Sequence, residues 1–186
     1  PQLKHFRVRG GQDLRFSELS APELQSLTIE TGGLSAEVVR DVMTANLPAL
    51  THLELYLGTE EYGATYSMND LMPILSGEKF KNLNYLGLKN AEKQDEIVSA
   101  IVRSTALKSL TVLDLSLGVL TDVGGQALLD AGDAISHLKQ LNLSYHYMAD
   151  EIVQQLSGMA QQYGIALDVS DKQAVEDDWR FVSIGE

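Results

Sequence analysis

Apolar residues recur along this chain in threes. Leu138, Leu141 and Leu143 stand at steps of three and then two. The same spacing returns in "LKHFRV" (3–8), "LQSLTI" (24–29), "LTHLEL" (50–55), "LNYLGL" (83–88) and "LTVLDL" (110–115), and more weakly in "IALDV" (165–169). The last two members of each triplet are two residues apart, so on a strand they point to one side. The first member lies where the chain turns into that strand, so all three can face one core. Aligned on the central residue, the units read Phe6, Leu27, Leu53, Leu86, Leu113, Leu141 and Leu167, at steps of 21, 26, 33, 27, 28 and 26. Such regularity marks an internal repeat.

Between these units the period becomes helical. Residues 35–47 place Val38, Val39, Val42, Met43 and Leu47 on one side, with Ser35 as N-cap. Helices are also predicted over 94–104, 121–132 and 149–160, the second of these weakened by Gly124 and Gly125. A shorter one over 69–77 contains Pro73, which is tolerated best in a first turn, so the start is placed near Asn69. A strand and a helix in each unit cannot bury an apolar face alone, but stacked units can. Strands joined by crossover helices run parallel. Helices are wider than strands, so the stack curves with its strands inside. The predicted fold is α/β, a leucine-rich-repeat solenoid with about seven parallel strands on the concave face and helices on the convex face. Residues 1–170 form the array and 171–186 a C-terminal capping tail, in which Trp179 or Phe181 is expected to cover Leu167, Val169 and Met159.

The repeats resemble the ribonuclease-inhibitor-like class of leucine-rich repeats. The phrases "LYLGTEEYG", "NLNYLGLKN", "LTVLDLSLGVLTD", "LNLSYHYMADEIV", "LDVSDKQ" and "RFVSIGE" resemble a family of bacterial leucine-rich-repeat proteins. Some of its members carry a WGR domain, as molybdate metabolism regulator-like proteins do. The resemblance runs from about Leu24 to the C-terminus and brings no catalytic motif. It implies a longer N-terminus, in keeping with the absent initiator Met and with a repeat that begins at Leu3 without a preceding cap. The chain departs from the common repeat at the ninth position. There an Asn would bond neighbouring backbones, but Gly11, Gly32, Gly58, Ala91, Gly118 and His146 stand instead. The strand exits therefore need other hydrogen-bond partners.

Composition narrows the function. The 186 residues include 14 Lys and Arg against 26 Asp and Glu, a net charge of −12. Such a surface repels phosphate backbones, and the one basic cluster is Lys4, Arg7, Arg9 and Arg15. No apolar run approaches the ~18 residues of a membrane span. The absence of Cys excludes disulfides, thiolate metal sites and a Cys nucleophile, and fits a reducing, cytoplasmic setting.

The outward strand positions form three columns. The first contains His52, Tyr85, Val112 and Gln140; the second Glu54, Asp114, Asn142 and Asp168; the third Glu30, Tyr56 and Lys89. The step of 33 marks an insertion at 57–67 that carries Tyr62 and Tyr66 beside Glu60 and Glu61. Tyrosines of this kind suit an interface, and insertions in repeats often map to the binding face. The other reading is that they pack over the short helix.

Enzymatic readings fare poorly. His5 and His52 are two strands apart, as are Asp114 and Asp168, roughly 10 Å at about 4.8 Å per strand. That is too far for a shared metal ion or a retaining carboxylate pair. The expected function is a non-enzymatic scaffold, without cofactor or metal, that binds a protein partner and neither nucleic acid nor membrane. The partner-binding candidates are His52, Glu54, Tyr56, Tyr62, Tyr66, Tyr85, Lys89, Asp114 and Asn142. The alternative is the C-terminal part of a regulator whose DNA-related or sensing chemistry lies upstream.

Overall fold

The computed structural model describes residues 2–10 and 14–185. Seven strands form one sheet in chain order: β1 His5–Arg9, β2 Ser26–Glu30, β3 His52–Gly58, β4 Tyr85–Ala91, β5 Val112–Asp114, β6 Gln140–Asn142 and β7 Ala166–Asp168. Every neighbouring pair is parallel, and Phe6, Leu27, Leu53, Leu86, Leu113, Leu141 and Leu167 stand opposite one another in one unbroken row. The repeat alignment is thus the strand register. Leu27, Leu53, Leu86 and Leu113 are fully buried and Leu141 nearly so, while Phe6 and Leu167 at the two ends are half-buried. This is the leucine-rich-repeat solenoid, with helices between its parallel strands.

The helices are α1 Ala36–Thr44, α2 Met68–Leu75, α3 Gln94–Ile101, α4 Asp122–Asp130, α5 Gly132–Ile135 and α6 Asp150–Tyr163. Ser35 caps α1 by accepting from the Val38 N–H, and Thr121 caps α4 by accepting from Val123. Helix α2 starts at Met68 because Ser67 and Asp70 form a capping box, which leaves Pro73 beyond the first turn, contrary to expectation. The short α5 was not anticipated. Gly124 and Gly125 serve packing: a Cβ at either would come within about 2.6 Å of Asp95 and Leu120 or of Ile152. They let α4 sit close against both neighbouring repeats, which outweighs their low helix propensity.

The helix starts are tied from one repeat to the next. The Asp95 carboxylate accepts from Thr121 N–H at 2.9 Å, Thr121 O–H at 2.6 Å and Gly124 N–H at 3.1 Å. Asp122 accepts from Ala149 N–H at 2.6 Å, doing the same for α6. The strand exits, which lack an Asn, find other partners. Gln94, fully buried, accepts from Ala91 N–H at 3.3 Å and donates to Leu88 C=O at 3.0 Å. His146, also fully buried, donates through Nε2 to Val169 C=O and accepts at Nδ1 from Met148 N–H, each at 3.1 Å. That pattern requires the neutral ring, and burial lowers its pKa. The Gly11 position lies outside the described residues.

The tail departs from expectation. Trp179 and Phe181 do not cover Leu167, Val169 and Met159; they are 67% and 53% exposed. After Lys172, which still pairs with His146, the chain turns at 176–179 and runs back across the strand exits. Phe181 N–H donates to the Tyr147 hydroxyl, which donates to Phe181 C=O. Ser183 N–H reaches Leu117 C=O. Asn90 accepts from Ile184 N–H at 2.9 Å and donates to Ile184 C=O at 2.8 Å. The strap is thus held through its own backbone groups, by the Tyr147 and Asn90 side chains and the Leu117 carbonyl of three repeats.

Two substitutions test this account. Leu113→Ala should cost about 2–5 kcal/mol, read from urea denaturation, because it leaves a void in the middle of the row. Asn90 has φ of 56° and both strap bonds, so Asn90→Ala should cost about 1–3 kcal/mol. It should also speed amide exchange at Ile184 while leaving the β1–β3 amides unchanged.

Candidate functional site

The alternation of each strand sends Leu53 and Leu55 inward and His52, Glu54 and Tyr56 outward. Parallel register then sets three outward columns side by side: His52 opposite Tyr85, Glu54 opposite Gly87 and Tyr56 opposite Lys89. The outward residues are long and the strands close, so their side chains lie flat across the sheet. The His52 and Tyr85 rings stack at 3.8 Å. Lys89 Nζ sits 5.0 Å from the centre of the Tyr56 ring. It donates to Glu54 at 3.0 Å and pairs with Asp114 at 3.2 Å. Gly87 leaves the space through which the Lys89 and Glu54 chains meet.

Asp114 is the hub. It accepts from Ser116 N–H and O–H, from the Tyr85 hydroxyl at 3.0 Å and from Asn142 at 3.2 Å, besides pairing with Lys89. The network therefore joins seven of the nine sequence candidates: His52, Glu54, Tyr56, Tyr85, Lys89, Asp114 and Asn142. It also changes their meaning. Tyr56, Lys89 and Asp114 are buried, although an open polar face was expected. They cover one another, and their polar atoms are spent on internal partners. The remaining two candidates lie in the insertion. Tyr66 is buried in the core beside α2, so the packing reading holds for it, whereas Tyr62 is about half exposed.

Electrostatics follow from the packing. Burial pushes the Glu54 carboxyl up, but hydrogen bonds from His52 and Lys89 and the Lys89 charge overcome this and hold it at about 2. Burial would lower Lys89, yet Asp114 and Glu54 raise it above its usual value. Tyr85 is raised, first by burial and then by the Asp114 and Glu54 charges, so it stays a hydroxyl donor. The Asp114 carboxylate is fully engaged by its internal partners, and among the described residues no group of three potential ligands could hold a metal ion.

The face changes along the array. On β1, Arg7 and Arg9 are exposed but pair with the buried Glu30, and Arg15 pairs with Glu37 and Asp41. The expected basic cluster is thus partly neutralised. At the other end, past the hub, a depression of about 280 Å³ opens over β4–β7. Its walls include Tyr85, Val112, Gln140, Asn142 and Asp168, with Leu141 and Leu167 beneath. Gln140, Ala166 and Asp168 are exposed there. Sequence columns alone did not distinguish this open end from the filled middle.

The insertion is ordered by its neighbours. Thr59 N–H donates to Gly32 C=O, Thr65 N–H to Leu34 C=O, and the Thr65 hydroxyl accepts from Ala36 N–H. Gly58 has φ of 71° and a Cβ there would meet Gly32 C=O at 1.7 Å, so only glycine permits this close exit.

The Leucine Rich repeat family model matches residues 106–129, the stretch that holds β5 and most of α4. No curated protein matches. Among solved structures, the chain is similar to a protein of Bacteroides fragilis at 38% identity and a TM-score of 0.80. The match covers 90% of this chain and 46% of that one, so the chain spans about half the length of its structural relative. Among the described residues, no helix is long and apolar enough to cross a membrane.

The network predicts a pH profile. Glu54 titrates lower in the fold than in the unfolded chain, so its contribution is present above pH about 4.5 and is lost as pH falls towards about 2. Lys89 is raised, so its contribution holds below pH about 10.5 and declines as pH rises through its folded value. Lys89→Met should cost about 3–5 kcal/mol at pH 7, because it leaves two carboxylates buried without their cation. Urea midpoints across pH should show the acid-side loss in the parent and a smaller one in the variant.

Proposed function

We propose that this chain is a non-enzymatic scaffold that binds a protein partner through its concave face, at the open end over β4–β7, with the 57–67 insertion contributing Tyr62. One observation carries the reading: the filled middle of the face abuts an open depression that offers aromatic, apolar and hydrogen-bonding groups together. Tyr85, stacked on His52 behind it and held by its hydrogen bond to Asp114, forms one wall, so a partner would meet a surface already ordered. Val112 supplies apolar area, while Gln140, Asn142 and Asp168 supply polar contacts at the margin. The leucine-rich-repeat fold generally serves such roles. Duplex DNA is not the ligand in this reading, given the net charge of −12 and the carboxylates paired with Arg7, Arg9 and Arg15.

A second reading rests on the resemblance of the inter-repeat phrases, and on this chain spanning only about half of its Bacteroides fragilis relative. The array could serve as the partner-binding part of a longer bacterial regulator, of the kind that carries a WGR domain, with DNA-related or sensing chemistry elsewhere in that protein.

Affinity capture from cell extract, with the chain and its Gln140→Arg/Ala166→Arg variant side by side, tests the first reading. Both side chains are exposed in the lining of the depression and lie outside the Asp114 hub, so melting should shift little. Proteins retained by the parent should be lost from the variant. Equal retention would move the site away from the concave face. Tight duplex binding that falls steeply with added salt would reject the exclusion of DNA.

A further inference from the structure

A second cavity, of about 390 Å³, lies on the rim where the strands exit. One wall is the turn of the insertion, with Thr59, Glu60, Glu61 and Tyr62; the other is the C-terminal strap, with Trp179, Phe181 and Val182. The strap ends with Gly185 against the Tyr62 ring, where a Cβ would come within 2.8 Å. Residues more than a hundred positions apart thus build one pocket, held in place by the strap bonds to Tyr147, Leu117 and Asn90. Its volume is that of a small-ligand site.

Two features of the lining point to its occupant. Tyr62, Trp179 and Phe181 are 48%, 67% and 53% exposed, and exposed aromatic area gathered at one cavity marks an interaction site. Three carboxylates, Glu60, Glu61 and Glu92, face one guanidinium, that of Arg180. Arg180 lies 6.0 Å from the Tyr147 ring and Glu60 is engaged by Lys93 at 2.8 Å, whereas Glu61 and Glu92, the latter accepting from Glu60 N–H at 3.5 Å, have no ion-pair partner among the described residues. Thr59 adds a buried hydroxyl without a partner among the described residues. Aromatic faces beside carboxylates favour a cation on an apolar stem, held by cation–π and ionic attraction together.

We propose that this rim pocket docks a Lys or Arg side chain presented between apolar residues by another protein. Its lining shares no residue with the depression over β4–β7, and Tyr62, which the concave reading uses only as an added contact, is the one residue the two readings have in common. A basic segment fits a chain of net charge −12, and the aromatic walls suit the apolar flanks of that segment.

Trp179 is the chain's single Trp and lines the pocket, so its emission reports occupancy directly. The full chain is titrated with the capped peptide acetyl-Gly-Leu-Lys-Leu-Gly-amide, with its Glu-for-Lys analogue as control. A saturable change with the Lys peptide alone is expected. Glu61→Gln/Glu92→Gln and Tyr62→Leu should each weaken it by about ten-fold or more, whereas Gln140→Arg/Ala166→Arg should not alter it. Should Tyr62→Leu disturb folding, seen in the circular-dichroism melt, the exposed carboxylate pair decides alone. The proposal is overturned by no saturable response, by an equal response to the Glu peptide, or by a response that survives loss of both carboxylates. Sedimentation showing that the pocket instead drives self-association would also overturn it. Failure of the groove variant in lysate capture bears only on the concave reading.

Discussion

The structure depends on the inability of any one repeat to bury its own leucines. A strand of three to seven residues and one short helix leave an apolar face open on each side, and only the next repeat closes it. The central row from Phe6 to Leu167 is where that closure occurs. Its burial is complete from Leu27 to Leu113 and fades at both ends, as expected for a stack whose terminal layers have a neighbour on one side only. Helix caps follow the same rule. Asp95 and Asp122 each serve the helix of the following repeat, so the polar ties reinforce the apolar ones in the same direction.

Close stacking has a consequence on the other face of the sheet. Outward residues of adjacent strands are only about 4.8 Å apart, within reach of any long side chain. Lys89 spans from β4 to Glu54 on β3 and to Asp114 on β5. A buried lysine between two carboxylates is costly to assemble and more costly to break. Here the cost is offset by the Tyr56 ring and by the four further hydrogen bonds to Asp114, which leave its carboxylate fully partnered. The centre of the concave face thus behaves as a polar core. It fixes the relative position of the strands and gives the neighbouring groove a rigid wall.

The fold was legible because its signal is periodic. Leu53, Leu86, Leu113 and Leu141 announce their register by spacing, and the helices follow from Val38 to Val42 and their equivalents. The site was half legible. That His52, Glu54, Tyr85, Lys89 and Asp114 share a face follows from alternation. That Tyr56, Lys89 and Asp114 are buried on that face does not, because burial there depends on side chains of neighbouring strands lying across one another. Of the two replacements for the missing Asn, His146 stands at the ninth position itself, whereas Gln94 holds a buried polar position that the repeat spacing does not mark. The tail was misjudged for a related reason. Trp179 and Phe181 suggested an apolar cap, but the strap is directed by backbone hydrogen bonds, to which the Asn90 side chain contributes two. A sequence shows apolar residues plainly and shows poorly which carbonyls lack a partner.

Saturated polar groups cannot contribute much to binding, because a partner would only exchange one good hydrogen bond for another. The middle of the concave face, despite its density of charged and aromatic residues, has its polar atoms largely engaged within the chain. Affinity has to come from apolar area still in contact with water and from charges without an internal partner. Apolar area remains over β4–β7, at Val112 beside Asp168, whose carboxylate accepts from Ser170 N–H but has no cation paired with it, and at the rim, with Tyr62, Trp179 and Glu61. Each lies beside a rigid element, the Asp114 hub in one case and the strap in the other, so neither needs ordering upon contact. The same pairing rule that makes the centre of the face structural thereby leaves its two margins available for recognition.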